Sequence, residues 1–501
     1  MTRRCPFALT VLLALLLSPV LFAQEQAAKP FLHPLFASDM VLQRDVQDPI
    51  WGWTDPGKQV TVSMNGKTAT ATADKDGKWL ARIGPFEAGG PYELTVSGPR
   101  QVKLENVLVG DVWICSGQSN MEFGIGNGLN AQREIQDANH PQIRLFTVPK
   151  HIAYHPQSGF ANNAKQPDEA RWLVCTPENI KVGDWGGFSA VGYFFGRDLQ
   201  EKLHIPIGLI HTSWGGTLAE AWTSAQALDE MPDFKGAVEK LQAEHAPGQE
   251  HAAGNDKSKR PNPNQVTVLY DGMIAPLEPL AIKGAIWYQG ESNAGRPMQY
   301  RRLLPTMIND WRSHFGVGPF PFFIVQLASW QPEDAQPKES QWAELREAQA
   351  LTAQTVGHSA IAVATDIGDA KDIHPKNKQE VGRRLALDAL ALVYGQNVEY
   401  SGPTYAGMET KGNSIVLHFD HLGGGLEARG DGPLSGFAIA GADKKFVWAD
   451  AKIEGNTVVV SSPQVEHPTA VRYAWANNPA NANLFNKAGL PAPPFRTDMP
   501  K

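Results

Sequence analysis

Alternating hydrophobic and polar positions dominate the first part of the chain. From Pro30 to about Asn106, short alternating runs are separated by turn residues, including Asn-Gly at 65–66 and Asp-Gly at 76–77. Alternation with a period of two is typical of half-buried strands, and Asn-Gly or Asp-Gly pairs favour the turns that close β-hairpins. The pattern therefore predicts a small antiparallel β-domain over residues 24–106.

From Val107 the pattern changes to nearly continuous hydrophobic runs separated by amphipathic stretches. The runs predicted as buried strands are 106–117, 205–216, 282–293, 321–330 and 359–369. The stretches with helical periodicity between and after them are 188–203, 298–316, 343–357 and 378–395. Such strands, separated by helices, are characteristic of a parallel sheet covered on both faces. We therefore predict an α/β domain over residues 107–396.

Two other stretches have different patterns. Residues 232–265 are polar and rich in Gly, Pro and Asn, which favours a surface insertion in the α/β domain. Residues 397–501 return to alternating strands with Gly-rich turns, which predicts a C-terminal β-rich domain. The predicted fold is thus a parallel sheet flanked by helices, with β-sandwich-like regions on its N- and C-terminal sides.

The start of the chain has the pattern of a secretory signal peptide. Basic residues at positions 3 and 4 precede an apolar stretch over 7–22, and Ala23 is followed by polar residues. A transmembrane anchor is the alternative, but it needs about twenty uninterrupted apolar residues and Pro19 interrupts this stretch. We expect cleavage after residue 23 and a periplasmic or secreted protein that is not bound to a membrane.

Charge and composition narrow the possible partners. The formal net charge is −7 and no long basic tract is present, so we do not expect nucleic acid as a partner. No His/Cys cluster has zinc-ligand spacing and no Gly-rich phosphate loop begins a helix, so we predict no metal or cofactor. Cys115 and Cys175 remain after signal removal; they can form one disulfide, although the hydrophobic run around Cys115 favours a buried thiol.

Polar motifs follow four of the five predicted strands. "GQSN" follows the first, "HTSWGGT" the second, "YQGESN" the third and "DIGDAKDIHPKNK" the fifth. In open parallel sheets, ligands bind outside the carboxyl ends of the strands, because the connecting loops meet there and helices begin with free N–H groups. The sequence therefore predicts a catalytic site built from these loops.

Ser119 is the candidate nucleophile of this site. A serine at a strand-to-turn junction presents its hydroxyl at the edge of the sheet, although Ser119 could instead cap a following helix. His374, on a short loop before a predicted helix, is the candidate base, with Asp372 as the acid that orients it. A solvated loop histidine is the alternative for His374. His211 also follows a strand, with less support.

Other residues of these motifs are candidates for the oxyanion hole. Gly215 and Gly216 let the backbone approach a ligand and donate an N–H, and Gln289 or Asn293 can add an amide donor. Glu291 is a carboxylate that would oppose an oxyanion, so we expect it to bind loop backbone or to orient its neighbours.

Together these motifs resemble the sialate O-acetylesterase family of SGNH-type hydrolases. The similarity is carried by "GQSNM", "SWGGTLAEAW", "WYQGESN" and "DIHPKNKQEVGRRLA", in the order of that family, and extends over roughly residues 30–395. It implies a serine esterase that removes acetyl groups from sugar hydroxyls, with Ser119 as nucleophile and His374 as base. It also implies oxyanion donors from Ser119, the Gly215–Gly216 turn and the "QGESN" loop.

The sequence departs from the wider SGNH pattern at the acid. That pattern places an acid three residues before the histidine, where this chain has Lys371. Asp372 lies two residues before the histidine, and Asp369 and Asp366 lie further back, so all three remain candidates.

The third motif departs as well, because it reads "QGESN" instead of Gly-x-Asn-Asp. We therefore expect Gln289 to be the side-chain oxyanion donor, with Asn293 as the second candidate.

The residues of these motifs are expected to act on the acetyl group, so they do not identify the sugar that carries it. Acetylated sialic acid is the first candidate, and acetylated xylan, xyloglucan or pectin is the alternative. A sialic acid carboxylate would need a cation, for which Arg296 is a candidate, while Glu220 and Trp222 can contact substrate or serve the structure. A non-catalytic carbohydrate-binding protein is a rival of a different class, but Ser119 and His374 would have no role in it.

Overall fold

The structure, a computed structural model, describes residues 29–161, 170–246 and 261–498. The predicted signal peptide, residues 1–23, lies outside the described residues, as do residues 247–260 of the predicted insertion.

A long central sheet organises the molecule. The strands up to its central strand are β1 (Val41–Gln43), β2 (Asp48–Trp53), β3 (Gln59–Met64), β4 (Lys67–Thr72), β5 (Lys78–Ile83), β6 (Gly89–Ser97) and β7 (Gln101–Gly117). Those that follow in the α/β part are β8 (His140–Thr147), β9 (Trp172–Cys175), β10 (Ile207–Ser213), β11 (Gly284–Tyr288), β12 (Phe322–Val325) and β13 (Ser359–Ala362). Within the α/β part the strand order is β13-β12-β11-β7-β10-β8-β9, and every neighbouring pair is parallel except β8–β9. Strands β2 and β5 form a separate two-stranded sheet.

All five predicted buried strands are present, as β7, β10, β11, β12 and β13, and the predicted α/β fold is confirmed. Strands β8 and β9 were not predicted. Strand β8 has only four consecutive buried residues, and β9 is a short edge strand with two, so neither has a long hydrophobic run.

Helices cover both faces of the sheet. They are α1 (Ser119–Glu122), α2 (Ala131–Gln136), α3 (Ala190–Leu203), α4 (Ala225–Asp229), α5 (Lys235–Glu244), α6 (Pro297–Phe315), α7 (Gln341–Thr355) and α8 (Lys378–Leu392). Helices α3 and α8 bury Phe194 and Leu385 in one core, while α6 and α7 bury Leu303 and Leu345 in the core of the other face. The four predicted helical stretches correspond to these four helices.

The stretch over 232–265 is not polar surface throughout. Its first part forms α5, which buries Val238 and Leu241 in the core shared with α6. The apolar residues of α5 are spaced three apart, so one face packs inward while the rest of the helix stays polar.

Strand β7 joins the N-terminal sheet to the α/β sheet. Its first half pairs antiparallel with β6, and its last residues, Asp111–Gly117, pair in parallel with β10. The predicted boundary between positions 106 and 107 therefore lies inside one continuous strand of 17 residues, without a linker.

Between residues 397 and 498 the regular elements are all strands. They are β14 (Thr404–Lys411), β15 (Ser414–Asp420), β16 (Leu426–Ala428), β17 (Phe437–Ala440), β18 (Val447–Trp448), β19 (Asp450–Glu454), β20 (Thr457–Ser461), β21 (Ala470–Tyr473), β22 (Leu484–Asn486) and β23 (Phe495–Arg496). Two four-stranded sheets, β14-β15-β20-β19 and β18-β17-β21-β23, share a core that includes Ile415, Val458 and Val471. This is the β-sandwich-like region that the alternating pattern predicts.

Two further expectations concern a disulfide between Cys115 and Cys175 and a helix that could span a membrane. Cys115 and Cys175 are both buried and free, so they form no disulfide. Within the described ranges, no helix has the length and apolar character needed to cross a bilayer.

Candidate active site

The turn after β7 presents Ser119 at the carboxyl edge of the sheet. Gly117 has φ 142°, and a Cβ there would lie 2.1 Å from the carbonyl oxygen of Tyr288, so only glycine allows β7 to lie this close to β11 at that point. Gln118 is the N-cap of α1, and Ser119 is its first helical residue. Ser119 is therefore not the cap of this helix, and its backbone N–H is one of the unpaired groups of a helix start.

Ser119 and His374 are in direct contact. His374 lies on the loop between β13 and α8, 255 positions away, and its Nε2 is 3.0 Å from the Ser119 Oγ. When Nδ1 carries the ring proton, Nε2 accepts a hydrogen bond from the serine hydroxyl. This is the arrangement in which an imidazole can remove the serine proton.

The structure separates the three candidate acids. Asp372 Oδ1 lies 3.3 Å from His374 Nδ1 and also accepts the His374 backbone N–H at 2.9 Å. Asp366 instead forms a two-pronged ion pair with Arg384, at 2.6 and 2.7 Å. Asp369 accepts a backbone N–H from its own loop. Of the three acids, only Asp372 is positioned beside the imidazole.

The surroundings of His374 favour its neutral form. Burial lowers the pKa of His374 from its ordinary value of 6.5, and the positive charge of Lys378 acts in the same direction. Asp372 opposes this, because its carboxylate stabilises the imidazolium. A neutral imidazole near pH 7 is the form that a general base requires.

The Gly215–Gly216 turn packs directly against Ser119. A Cβ on Gly215 would lie 3.0 Å from Glu122 Oε2 and 3.3 Å from the Ser119 Cβ, so a side chain here would be tightly packed. The Gly215 N–H donates to Glu122 Oε2, which differs from the prediction that it faces an oxyanion. Gly216 is exposed with φ 74°, and among the described residues its N–H has no hydrogen-bond acceptor.

Gln289 and Asn293 are buried, and their amides form hydrogen bonds with neighbouring loop groups. The Gln289 Nε2 donates to the Thr217 carbonyl at 3.1 Å and to Asn293 Oδ1 at 2.6 Å, which uses both of its hydrogens. The Asn293 Nδ2 donates to Glu220 Oε2 at 2.9 Å. In this arrangement the Gln289 amide has no hydrogen left for the predicted oxyanion, whereas Asn293 Nδ2 uses one of its two hydrogens; together the two amides join the loops after β10 and β11.

The remaining candidates Glu220, Trp222 and His211 are buried inside the protein. Glu220 is buried and pairs with Arg296 at 2.6 Å, so the carboxylate partner of Arg296 is within the protein. Trp222 is fully buried. His211 is buried with its Nε2 against Ser213 Oγ, and burial lowers its pKa to about 3.

The sequence analysis missed two members, Asn120 and Lys378, of a buried polar cluster beside Ser119. Asn120, the residue after Ser119, donates to Glu291 Oε1 at 2.6 Å and to the carbonyl of Ile373 at 3.1 Å. It also accepts a hydrogen bond from Lys378 Nζ. One side chain thus connects the nucleophile helix α1, the residue before His374 and the first turn of α8.

Lys378 and Glu291 supply the charges of this cluster. The Lys378 ammonium is fully buried, 4.8 Å from the ring centre of Phe123 and 5.0 Å from that of Tyr288, and burial lowers its pKa to about 7. Burial raises the pKa of Glu291, as expected for a carboxyl group removed from water. The contact observed for Glu291 is with a neighbouring side chain, since its Oε1 accepts the hydrogen bond from Asn120. The only sequence signal for Asn120 and Lys378 is their position within the "GQSN" and "HPKNK" motifs.

Comparisons with known proteins show which family the chain belongs to. The model of a family described as carbohydrate esterase, sialic acid-specific acetylesterase matches residues 109–391, more than half of the 501-residue chain. Human sialate O-acetylesterase is 30% identical over 97% of this chain and 96% of its own length, and the mouse protein is 29% identical over 91% and 92%.

A solved structure is also similar over nearly the whole chain. A carbohydrate acetylesterase from Xanthomonas citri is 39% identical, with a TM-score of 0.82, and the match covers 94% of this chain and 100% of that one. The matched region thus includes the N- and C-terminal β-regions as well as the sheet whose loops carry Ser119 and His374. The chain therefore belongs to the carbohydrate esterase, sialic acid-specific acetylesterase family, and it is an esterase.

Proposed function

We propose that this esterase removes O-acetyl groups from a carbohydrate through an acetyl-enzyme on Ser119, with His374 as general base and Asp372 as the orienting acid. The observation that carries the proposal is the 3.0 Å contact between Ser119 Oγ and His374 Nε2, with Asp372 at the other ring nitrogen. A non-catalytic sugar-binding protein would have no use for this arrangement.

The reaction follows the geometry in two halves. His374 takes the Ser119 proton as the serine oxygen attacks the acetyl carbonyl, and the resulting imidazolium returns the proton to the departing sugar oxygen. Water, activated by the same imidazole, then attacks the acetyl-serine and releases acetate. Asp372 stabilises the imidazolium of each half-reaction.

Backbone N–H groups are the proposed oxyanion donors. Ser119 N–H belongs to the first turn of α1, and Gly216 N–H lies on the turn that packs against Ser119; neither donates to another group among the described residues. Donors that are already oriented stabilise the developing negative charge without reorganisation. The engaged amides of Gln289 and Asn293 then hold this turn in place.

Acetylated sialic acid is the proposed substrate, because the curated relatives that match nearly the full chain are named sialate O-acetylesterase. One observation favours a neutral acetylated polysaccharide as a second candidate. Arg296, the cation expected to meet a sialic acid carboxylate, is already paired with the buried carboxylate of Glu220.

We also propose that residues 1–23 are a signal peptide and that the enzyme acts outside the cytoplasm. The support is the sequence pattern alone: basic residues, an apolar stretch and a small residue before a polar segment. N-terminal sequencing of exported protein should begin after Ala23, and a full-length chain retained in the cytoplasm would contradict this.

The decisive experiment compares acetate release by wild-type enzyme and Ser119→Ala on an O-acetylated sialic acid and on acetylated xylan. We expect the variant to lose essentially all activity while its circular dichroism is unchanged. Ser97→Ala, on strand β6 of the N-terminal sheet, is the control and should keep full activity. The ratio of the two wild-type rates distinguishes the substrates.

A serine-directed phosphonate provides an independent check. We expect one adduct on Ser119 in the wild-type enzyme and none in Ser119→Ala. Wild-type activity in Ser119→Ala, or no labelling of the wild-type protein, would reject the catalytic assignment and favour a binding protein.

A further inference from the structure

Trp185 is an exposed aromatic residue directly beside the catalytic histidine. Its side chain is 42% exposed, whereas most tryptophans of the described chain are buried or nearly so. The ring centre lies 4.9 Å from that of His374 at an angle of 83°, and 5.3 Å from that of Phe123. A large apolar surface is thus open to solvent at the reacting centre, where its exposure serves no folding purpose.

The backbone that carries Trp185 is unfavourable for a bulky residue. Trp185 has φ 45°, and Gly183, Gly186 and Gly187 around it have φ 131°, 95° and 101°. A bulky side chain in the left-handed region is rare, and residues held there cluster at functional sites. The segment would accept glycine at this position more easily than tryptophan.

Specific contacts hold Trp185 in this conformation. Its carbonyl oxygen accepts the Gly124 N–H at 3.2 Å and a hydrogen bond from the Asn127 side chain. Both donors lie just after the nucleophile helix α1, so the position of the indole is fixed relative to Ser119. The aromatic surface is therefore part of the site and not a feature of a separate loop.

From these observations we infer that Trp185 is the platform on which the sugar ring of the acetylated substrate stacks; this inference rests on the proposed function. His374 must return a proton to the departing sugar oxygen, which brings the sugar ring within contact distance of the imidazole. The exposed indole is already at that distance. A pyranose ring presents C–H groups on its faces, which can pack on an aromatic surface while its hydroxyl groups remain in water.

The inference makes Trp185 a determinant of specificity for a ring-bearing alcohol. An ester with a small alkyl alcohol reacts through Ser119 and His374 but cannot cover the indole. Binding energy from the non-reacting ring therefore separates acetylated sugars from simple acetate esters. This holds for an acetylated sialic acid and for an acetylated xylose unit, since both have pyranose rings.

The test compares Trp185→Ala and Trp185→Phe on two substrates: ethyl acetate and whichever acetylated sugar the wild-type enzyme hydrolyses faster. For Trp185→Ala we expect kcat/KM on the sugar to fall roughly tenfold, the size of one good stacking contact, while ethyl acetate changes less than about threefold. Trp185→Phe should recover most of the loss, because an aromatic face remains. Trp448→Ala, which removes an exposed tryptophan of the C-terminal region, is the matched control and should match the wild type on both substrates.

Calorimetry on the inactive Ser119→Ala background separates this inference from the proposed function. We expect the acetylated sugar to bind Ser119→Ala more tightly than the double variant Ser119→Ala/Trp185→Ala, again by roughly tenfold. Equal losses on both substrates, or equal binding with and without Trp185, would overturn the platform while leaving the esterase assignment intact. If the wild-type enzyme hydrolyses no acetylated sugar, the proposed function is rejected. An affinity for the sugar that depends on Trp185 would still support the platform.

Discussion

Asp372 differs from the buried acid of many catalytic triads. Its side chain is 48% exposed, and its carboxylate both faces the His374 ring and accepts the His374 backbone N–H. Water screens an exposed carboxylate, so its effect on the imidazolium is weaker than that of a buried one. Its backbone hydrogen bond adds a second role, because it also fixes the loop that positions the ring.

Asp372→Asn should lower kcat/KM and shift its pH dependence. The wild-type acid limb should have its midpoint below the ordinary histidine value of 6.5, because burial lowers the pKa of His374. Asp372 raises that pKa, so its replacement should move the acid limb to still lower pH. The kcat/KM reached above this limb should fall by less than the roughly 10⁴-fold loss seen for a buried triad aspartate. A pH–rate profile on an acetylated substrate measures both effects, and a limb that moves upward would contradict the assignment.

At the residue scale, the sequence was sufficient to predict which side chains meet when each follows a strand of the parallel sheet. Ser119 and His374 belong to this group, since the carboxyl ends of parallel strands bring their loops together. Gln289 and Asn293 were predicted as oxyanion donors because amides can donate. Which acceptor an amide meets is decided by packing, here against Thr217 and Glu220, and no local pattern encodes those contacts.

At the scale of elements, the junction of β7 and α1 depends on the backbone of Gly117. Its φ of 142° suits glycine, and its Cα faces the Tyr288 carbonyl at the point where β7 meets β11. Any side chain there would have to separate the two strands that carry the first and third motifs.

Gly117→Ala should destabilise the protein by several kcal/mol, because a close backbone contact adds to the cost of about 1–3 kcal/mol for the unfavourable φ. Gly66→Ala is the matched control: it has φ 73° in a hairpin turn but nothing within 4 Å of an added Cβ, so it should cost only about 1 kcal/mol. Urea unfolding of both variants measures the difference. Equal losses would mean that the contact with Tyr288 adds nothing.

The cluster of Asn120, Lys378 and Glu291 couples three elements around the site. Lys378→Met keeps an unbranched side chain between the rings of Phe123 and Tyr288 but removes the hydrogen bond to Asn120. Since a misplacement of about 1 Å can cost roughly 100-fold in rate, we expect kcat to fall by about ten- to a hundredfold with KM nearly unchanged.

The pH dependence distinguishes this positioning role from a loss of stability. Lys378 lowers the pKa of His374, so Lys378→Met should move the acid limb of kcat/KM to higher pH, opposite to the shift expected for Asp372→Asn. Partial unfolding would reduce the active fraction without moving the limb. An unchanged limb in a folded variant would show that Lys378 does not act on the imidazole.

Hydrophobic patterning predicted the elements in proportion to their burial. Strands β10, β11 and β12 are wholly buried, as is β7 from Val107 to Gly117, and their runs are visible in the sequence; β13 has two buried residues of four, but its apolar residues continue through Val363 and Ala364. Strand β8 begins with exposed positions and β9, at the sheet edge, has only four residues, so the same criterion did not find them.

At the scale of the whole molecule, sheet topology explains why the site forms where it does. The chain places β7 first and then adds β10 on one side and β11 on the other, so the order of the strands reverses at β7. The loops that leave neighbouring strands at such a point diverge and leave a crevice between them. Ser119 follows β7 and lies in that crevice, with the loops of β10 and β11 on either side.

The C-terminal sandwich is joined to the α/β part through a buried arginine. Arg346 of α7 is fully buried and donates to the carbonyl oxygens of Leu327 and Ala328, near the end of β12, and of Ala476 and Asn477 in the C-terminal part, at 2.7–3.0 Å. No carboxylate pairs with it in the described ranges, so its charge is balanced by carbonyl dipoles from both parts. Such an arrangement favours unfolding of the two parts as one unit.

Arg346→Met should therefore destabilise the molecule by about 3 kcal/mol or more, since it leaves the carbonyl groups of Leu327 and Ala476 without their donor and removes one of two donors from those of Ala328 and Asn477. Arg302→Met is the control, because Arg302 is 63% exposed and its ion pair with Asp233 should contribute less than about 1 kcal/mol. Urea unfolding, followed by fluorescence and by loss of esterase activity, tests whether the C-terminal sandwich and the α/β part unfold together. The two transitions should coincide in the wild type. They should separate in Arg346→Met, because the sandwich then unfolds first. Coincident transitions in the variant would show that the sandwich is held to the sheet by other contacts, such as the ion pair of Arg496 with Glu347.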